Sequence, residues 1–383
     1  MKRLNVYPLF DIEPVKGQGA YVYDSQGNKY LDFYGGHGVI SIGHNHPHYN
    51  QRVTQQLKTL PFYSNSVINS PQDQLAEKLG EVSGLVEYSL FMVNSGTEAN
   101  EAALKIAAGV TGRKKIIALK NAFHGRTALS VVVTDRDNYH TPMNDVSLVK
   151  RVPINDVDAV KEHLDGEVAA IIIEGIQGIA GIYENDDSYL EEIGRLAKAN
   201  GSLLILDEVQ SGYGRSGRFF AYQYSGVKPD LVTMAKGMGN GFPIGGVAVS
   251  PHLQVPSGIL GTTFGGNHLA CGAGLAVLEV MEKEQLVMNS ERMGLILKNE
   301  LKTIDEPKEI RGKGLMIGIE FAYPIKEIRT QLLKKHRIFT GNAFQANTIR
   351  LLPPLGIGEK EVTYFVDSLK NVLTSKNETV YLS

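Results

Sequence analysis

The sequence has a single cysteine, Cys271, among its 383 residues. One cysteine excludes an internal disulfide and is typical of a reducing compartment, so we expect a cytoplasmic location. Long apolar runs are missing as well. No stretch approaches the roughly 20 apolar residues that span a bilayer, and no apolar segment of the signal-peptide type follows Met1. These absences predict a protein without a membrane partner.

An excess of either charge is also missing. The 39 basic residues nearly balance 41 acidic ones, which gives a net charge of −2, and no basic block occurs. Nucleic acid and anionic membranes are therefore not expected as partners. The 43% of hydrophobic and 21% of charged residues are ordinary for a globular enzyme. The length of the chain favours two domains.

Between residues 70 and 250, short apolar runs alternate with helical patterns, which predicts an α/β fold with a largely parallel sheet. Residues 20–33 have hairpin character, and an α+β pattern follows residue 267. We expect a large domain over residues 46–266 and a discontinuous small domain built from residues 1–45 and 267–383. The expected strands of the large domain lie at 89–93, 115–119, 168–173, 203–206, 231–234 and 246–250.

Two charged residues stand at the ends of apolar runs. Lys236 follows the run at 231–234 and precedes a glycine-rich loop, and Asp207 ends the run at 203–206. Pyridoxal phosphate chemistry requires such a pair: the amine forms a Schiff base with the cofactor aldehyde, and the carboxylate keeps the pyridine nitrogen protonated. Burial would lower the pKa of the Lys236 amine. We predict that both residues are catalytic, and we expect a cationic partner beside Asp207.

A phosphate site is predicted where the run at 89–93 meets a helix, at Ser95, Gly96 and Thr97. Free backbone amides and the helix dipole favour an anion there, and a glycine lets it approach closely. The same residues would also form an ordinary helix cap without a ligand. The polar clusters after the other runs favour the phosphate.

Aromatic and polar residues follow two further runs. Phe123 would stack on a flat ring, and the fork of Arg126 would bind a carboxylate, although a core position and a surface ion pair are the ordinary roles of these residue types. Glu174 and Gln177 follow the run at 168–173. Because buried polar groups need partners, we expect these two to support the site through hydrogen bonds.

Two motifs are set aside. The stretch from Gly212 to Gly217 matches GxGxxG, but no convincing helix starts within it and the acidic residue precedes the motif instead of following it, so we do not expect a dinucleotide site. The histidine-rich stretch 44–48 resembles a metal cluster. It lacks a second group of ligands, and Pro47 favours a helix start. We expect no metal.

Together, the motifs resemble those of the class III pyridoxal phosphate-dependent aminotransferases over nearly the whole chain. The resemblance implies the fold type I architecture with a seven-stranded sheet, and a homodimer whose active sites are shared between subunits. The motifs that carry it are Gly43-His-Asn-His-Pro47, Asn94-Ser-Gly-Thr-Glu-Ala99, Phe123-His-Gly-Arg-Thr127, Asp207-Glu-Val-Gln210, Ala235-Lys-Gly237, Gly261-Thr-Thr-Phe-Gly-Gly-Asn267 and Arg350-Leu-Leu-Pro-Pro354.

The resemblance also implies a role for each matched position. Lys236 carries pyridoxal 5'-phosphate and Asp207 pairs with its ring nitrogen. The other implied cofactor contacts are Ser95, Gly96, Thr97, Phe123, Val209, Gln210 and, from the second subunit, Thr263. The implied substrate contacts are Arg126, Thr262 and Arg350, of which the last binds the α-carboxylate of glutamate or 2-oxoglutarate.

Within the family, the compact length and the Phe123 motif most resemble the branch that acts on N2-acylornithines in arginine biosynthesis. The implied reaction moves the δ-amino group of acetylornithine or succinylornithine to 2-oxoglutarate. The enzymes that act on ornithine, 4-aminobutyrate or the ω-amine of lysine are alternatives, as is an aminomutase. A non-catalytic, pyridoxal phosphate-binding regulator is the alternative outside enzymes, and the intact Lys236 argues against it.

One position departs from the family pattern. Relatives have a glutamate where this chain has Ile179, and that glutamate neutralises the arginine corresponding to Arg350 while the amino donor is bound. Ile179 has no charge, so Arg350 stays unmatched unless another acid or the substrate supplies a carboxylate. We hypothesise that the donor carries an extra carboxylate, as succinylornithine does. A clear preference for acetylornithine in turnover would contradict this hypothesis.

Overall fold

The computed structural model describes residues 1–380, and their side chains as far as residue 375. A seven-stranded sheet forms its centre, and only the strand Gly245–Val249 runs antiparallel to its neighbours. This confirms the predicted α/β fold. The strand order across the sheet is Ser89–Val93, Gly245–Val249, Leu231–Met234, Leu203–Asp207, Val168–Glu174, Lys115–Leu119 and Val149–Val152.

The central strands are apolar on both faces because helices cover both sides of the sheet. In Leu203–Asp207, Leu204 and Leu206 join one hydrophobic cluster, whereas Leu203 and Ile205 join the other. This alternation follows from the two-residue period of a strand. The long helices of the chain are Pro47–Thr59, Ser70–Ser83, Gly96–Thr111, Asp187–Asn200, His268–Lys283, Leu286–Leu301, Lys326–His336 and Glu359–Val380.

Shorter helical segments connect these elements. The short α-helices are Gly35–Gly38, Ala128–Val133 and Val157–His163, and 3₁₀ turns lie at Asp137–Tyr139, Val146–Leu148, Ala221–Tyr224 and Lys236–Met238.

Several predicted strand boundaries were wrong by one residue. The strands at 168–173 and 203–206 extend to Glu174 and Asp207, because these two residues pair in the parallel register and continue the ladder. The last strand is Gly245–Val249 instead of 246–250. Extending the ladder places two buried carboxylates side by side at the carboxyl edge of the sheet.

Two smaller sheets lie outside the central one. One contains Pro14–Gln18, Tyr21–Asp24, Lys29–Asp32 and Ile338–Phe339, so a C-terminal strand pairs with the N-terminal strands. The other small sheet contains Glu309–Lys313, Met316–Glu320, Thr348–Leu351 and Gly341–Asn342, and a two-stranded ribbon pairs Ile176–Gln177 with Tyr183–Glu184.

The division of the chain into a large domain at 46–266 and a small domain made of 1–45 and 267–383 stays a prediction.

None of the helices in the described part of the chain combines the length and the apolar content that a membrane-spanning helix needs.

Candidate active site

A cavity of about 600 Å³ opens beyond the carboxyl ends of the central strands, where open α/β sheets bind their ligands. Gln177, Thr262 and Thr263 are not part of its wall. The predicted site residues that line it are Ser95, Gly96, Thr97, Phe123, Arg126, Glu174, Asp207, Val209, Gln210, Lys236 and Arg350.

Lys236 begins a 3₁₀ turn just beyond the strand Leu231–Met234. Its backbone lies in the left-handed region, with a φ of 44°, which residues with a Cβ rarely adopt. Burial lowers the pKa of its amine, and the carboxylates of Asp207 and Glu174 oppose this shift. The strained turn therefore presents an amine that loses its proton more readily than a solvated lysine does.

Asp207 is buried at the end of its strand and accepts hydrogen bonds on both carboxylate oxygens. Asn100 Nδ2 and His124 Nδ1 each donate to Oδ2 over 2.7 Å, and the backbone N–H of Val209 donates to Oδ1 over 3.0 Å. The expected cationic partner is thus a histidine ring, which is charged only when protonated. These three donors fix the orientation of the carboxylate.

Asn100 and His124 both hydrogen-bond Asp207, and neither was predicted as a site residue. Asn100 also donates to the His124 carbonyl over 2.7 Å, and Thr233 Oγ1 donates to Asn100 Oδ1 over 2.7 Å. His124 follows Phe123 directly after an apolar run, and this position could have indicated a site residue. Asn100 lies inside a helix, where a single polar residue gives no comparable signal.

The start of the helix Gly96–Thr111 forms a cradle at the cavity. The Ser95 side chain accepts from the Glu98 backbone N–H, so the predicted helix cap is present. The first backbone amides of a helix lack partners within it. A Cβ on Gly96 would lie 2.5 Å from Val209 Cγ1, so only glycine fits between this helix start and Val209.

The Thr97 hydroxyl belongs to a cluster of hydroxyl groups. It hydrogen-bonds Ser130 Oγ at 2.6 Å and Thr127 Oγ1 at 2.7 Å. Gly125 packs against it with a φ of 136°, and a Cβ there would lie 2.3 Å from Thr97 Oγ1. The motif that contains Phe123 therefore turns sharply against the helix start.

Phe123 and Arg126 lie in the cavity wall and share Tyr139 as a neighbour. The Phe123 ring meets the Tyr139 ring edge to face, with centroids 6.4 Å apart. Arg126 Nη2 donates to the Tyr139 hydroxyl over 3.1 Å. Among the described residues no carboxylate lies within ion-pair distance of Arg126, so its guanidinium has no acid partner in the chain.

Glu174 and Gln177 hold nearby loops. Glu174 accepts from the backbone N–H groups of Phe123 and Gly178, each over 2.9 Å, and burial raises the pKa of its carboxyl to about 7. Gln177 Nε2 donates to the Lys120 carbonyl over 2.8 Å. These hydrogen bonds fix the backbone at Lys120, Phe123 and Gly178.

Arg350 lies on the strand Thr348–Leu351 and is 2% exposed. Its Nε donates to the Asn342 carbonyl over 2.6 Å, and its Nη1 donates to Gln210 Oε1 over 3.2 Å. Burial lowers its pKa to about 10, so it remains a cation at neutral pH. Within residues 1–375 no acid pairs with it, and Ile179 lines the same cavity.

Thr262 and Thr263 line a separate depression, together with Glu98, Glu101 and Lys105. Thr263 is exposed. The single chain therefore does not bring these two residues to the main cavity.

The two motifs that were set aside have structural partners. His44 Nε2 hydrogen-bonds Asp32 at 2.8 Å, and His46 Nε2 hydrogen-bonds Glu284 at 2.9 Å. In the glycine-rich stretch, Arg215 is buried and donates to the Leu315 and Pro353 carbonyls. Each motif holds distant segments together.

The cavity fits pyridoxal 5'-phosphate. The glycine-only cradle at Gly96 is the start of a helix, which suits a phosphate. Phe123 and Val209 offer apolar surfaces for a flat ring, and the fixed carboxylate of Asp207 suits a protonated ring nitrogen. The Lys236 amine lies in the same wall. Phosphate, ring and aldehyde thus each meet a group of matching chemistry.

Comparison with known families agrees with this geometry. The family described as aminotransferase class-III matches residues 4–373. The chain belongs to the class III aminotransferases. Members of this family are pyridoxal phosphate-dependent transaminases, so membership implies the cofactor that the cavity fits.

Individual relatives of this aminotransferase match over nearly its whole length. It is 42% identical over 371 residues to an acetylornithine aminotransferase of Archaeoglobus fulgidus, which covers 96% of this chain and 97% of that protein. It is 40% identical over 382 residues to an acetylornithine aminotransferase of Mycolicibacterium smegmatis, which covers 98% of this chain and 97% of that protein.

Solved structures share the fold. The ornithine aminotransferase of Toxoplasma gondii superposes with a TM-score of 0.91 at 29% identity, and the match covers 98% of this aminotransferase and 93% of that chain. The acetylornithine aminotransferase of Elizabethkingia anophelis superposes with a TM-score of 0.85 at 30% identity, covering 97% and 96% of the two chains. The fold type I architecture expected from the sequence is confirmed.

Proposed function

We propose that this aminotransferase moves the δ-amino group of an N2-acylornithine to 2-oxoglutarate, which yields the N-acylglutamate semialdehyde and glutamate. The observation that carries the proposal is the near full-length identity of 42% to an acetylornithine aminotransferase. The ornithine alternative has weaker support, because the Toxoplasma gondii ornithine aminotransferase is 29% identical.

The bound cofactor supplies an aldehyde that takes up the amino group and a ring that accepts negative charge. In our proposal Lys236 would hold the cofactor covalently. The amino group of the donor would displace this lysine, and the freed Nζ would then move a proton from the substrate carbon that carries the amino group to the cofactor. Asp207 keeps the ring nitrogen protonated, while Asn100 and His124 keep Asp207 in place. The lowered pKa of Lys236 supports its role as a base.

The remaining predicted residues bind and orient the two ligands. Arg126 takes a carboxylate of the acylornithine, and Arg350 takes the α-carboxylate of glutamate or 2-oxoglutarate. Thr262, which lies outside the main cavity of the single chain, would reach the acylornithine only from a second subunit. Two buried or cavity-lining arginines without acid partners in the described chain support this assignment. The proposed cofactor contacts, besides Lys236 and Asp207, are Ser95, Gly96, Thr97, Phe123, Val209, Gln210 and the second subunit's Thr263.

A half-reaction screen tests the proposed donor. The pyridoxal phosphate-loaded protein is mixed with acetylornithine, succinylornithine, ornithine or 4-aminobutyrate, and the loss of the visible absorption of the bound cofactor is followed. We expect an acylornithine to react at least about 10-fold faster than the other amines. Fastest reaction with ornithine or 4-aminobutyrate would contradict the donor assignment. Cofactor absorption that no amine changes would favour the non-catalytic regulator.

We also propose that the active unit is a homodimer. The segments around residues 62–68 and 262–264 lie side by side, since Asn65 Nδ2 donates to the Thr262 carbonyl over 3.1 Å, and both carry exposed apolar side chains. Phe264 is 61% exposed and Phe62 is 40% exposed, and their rings are 5.6 Å apart. Ile68 is 91% exposed. Exposed apolar surface of this kind marks an interface. Thr263 lies next to Phe264, so a second subunit bound here would contact Thr263.

The dimer prediction has a direct test. Phe264→Glu places a charge in the proposed interface, so we expect the dimer dissociation constant to rise by at least about 10-fold. Light scattering coupled to size exclusion measures the change in mass. Met288→Glu, at a 62% exposed methionine on the helix Leu286–Leu301, is the matched control and should leave the mass unchanged. A Phe264→Glu protein with the wild-type mass would contradict the proposed interface.

A further inference from the structure

Gln210 is fixed from both ends of its side-chain amide. Its Oε1 accepts from Arg350 Nη1 over 3.2 Å, and its Nε2 donates to the His37 carbonyl over 2.9 Å. An arginine only donates and a carbonyl only accepts, so these two partners define the orientation of the amide. A Cβ on Gly178 would lie 2.0 Å from Gln210 Oε1. The Gln210 amide therefore packs against position 178, where any residue larger than glycine would collide with it.

The His37 carbonyl is presented by an unusual turn. Gly35, Gly36, His37 and Gly38 have φ values of 56°, 55°, 69° and 76°, all in the left-handed region. For His37, which has a Cβ, this conformation is strained. The strained turn thus directs a carbonyl to the amide of Gln210, and Gln210 in turn directs its oxygen to Arg350.

A neutral amide affects Arg350 differently from an acid. A carboxylate beside the guanidinium would cancel its charge and compete with a carboxylate of the substrate. The amide oxygen of Gln210 satisfies one N–H and leaves the charge intact. Ile179, in the same cavity wall, adds no charge either. Arg350 therefore has a partner that a carboxylate is able to replace.

We propose that Gln210 is a positioning residue that holds the Arg350 guanidinium in place for the carboxylate of 2-oxoglutarate. While the amino donor is bound, Gln210 remains the neutral hydrogen-bond partner of that guanidinium. The naming of these two substrates rests on the proposed function. The same cavity then accepts a donor that offers Arg350 no carboxylate and an acceptor that does, without an acid at position 179. On this inference the extra carboxylate that we hypothesised for the donor is not required.

Binding of glutarate, a dicarboxylate that has no keto group to react, tests the inference. Its dissociation constant is measured by titration calorimetry on the pyridoxal phosphate-loaded protein. In Gln210→Glu the new carboxylate pairs with Arg350, so we expect glutarate to bind at least about 10-fold more weakly. Gln210→Met removes the hydrogen bond without adding charge, and we expect a smaller loss of about 3-fold.

The matched control is Gln223→Met. Gln223 makes comparable hydrogen bonds, to the Ser83 carbonyl and the Phe220 backbone N–H, but it does not line the cavity. Its variant should bind glutarate as the wild type does. Steady-state kinetics adds a second readout: Gln210→Glu should raise KM for 2-oxoglutarate at least about 10-fold more than KM for the donor.

Unchanged glutarate affinity in Gln210→Glu would overturn the inference. So would equal changes in the two KM values, which indicate a purely structural role. A changed absorption of the bound cofactor with unaltered glutarate binding would limit Gln210 to its proposed contact with the cofactor, and the inference would fall. If glutarate binding weakens as expected but no acylornithine reacts, the proposed donor is wrong and the role of Gln210 stands.

Discussion

Replacing Lys236 by alanine is expected to abolish amino transfer and leave the fold intact. The amine is both the proposed anchor of the cofactor and the proposed proton carrier, so kcat should fall by about 10⁴-fold or more. The backbone strain at a φ of 44° is not altered, because alanine also has a Cβ. Lys236 is half-buried, and none of the hydrogen bonds among the described side chains involves its amine, so its removal leaves no hydrogen-bond partner unsatisfied. The melting temperature should therefore change little.

Two measurements check this prediction. Turnover is followed with acylornithine and 2-oxoglutarate, and circular dichroism gives the melting temperature. Lys228→Ala, at an exposed lysine near the same strand, is the control and should retain wild-type turnover. A Lys236→Ala protein with kcat within about 10-fold of the wild type would refute the assignment of Lys236, since acid–base catalysis alone contributes more than this.

The central strands could be predicted from the sequence because strands buried on both faces are continuously apolar. The strand Val149–Val152 could not. It lies at the edge of the sheet, and its sequence Val149-Lys-Arg-Val152 alternates too little to be distinguished from a loop. Edge strands need only one covered face and one hydrogen-bonded side, so their composition is weakly constrained.

The residues that end the strands were also accessible to prediction, because parallel strands deliver their carboxyl ends to one edge. Their hydrogen-bond partners were not. Asn100 meets Asp207 across 107 residues of sequence, and His124 meets it across 83. Such contacts follow from the packing of a helix and a loop on the sheet, which no local pattern encodes.

The unmatched charge of Arg350 illustrates the same limit. Its lack of an acid partner at Ile179 was visible in the sequence. The partner that the structure provides, Gln210, belongs to a motif from which Asp207 and Val209 also line the cavity. Only the left-handed turn at His37 explains why the amide points to Arg350. A turn of four positive φ angles depends on the glycines at 35, 36 and 38. The presence of three glycines in the sequence does not reveal the direction of the His37 carbonyl.

Asp207→Asn is the second large effect that we predict. The substitution removes the negative charge proposed to keep the ring nitrogen protonated, so kcat should fall by about 10²–10³-fold, as for other fixed electrostatic groups. It also perturbs the fold. Asn100 Nδ2 and His124 Nδ1 both donate to Oδ2, and Val209 N–H donates to Oδ1. In the variant, an amide NH₂ group replaces one of these two acceptor oxygens. Asn100 Oδ1 already accepts from Thr233, so the Asn100 amide is not free to turn over and accept from the new NH₂ group.

A buried donor then faces another donor, and we expect the free energy of unfolding to fall by about 1–3 kcal/mol. Asp230→Asn separates the two effects. Asp230 lies at the other end of the same sheet and accepts from the Leu204 backbone N–H over 2.7 Å, so its amide variant should lose stability but keep kcat within about twofold, because it is remote from the cavity. Denaturant unfolding and steady-state turnover are measured for both variants. If the two lose turnover equally, the decrease in Asp207→Asn reflects stability alone, and Asp207 has no electrostatic role in the reaction.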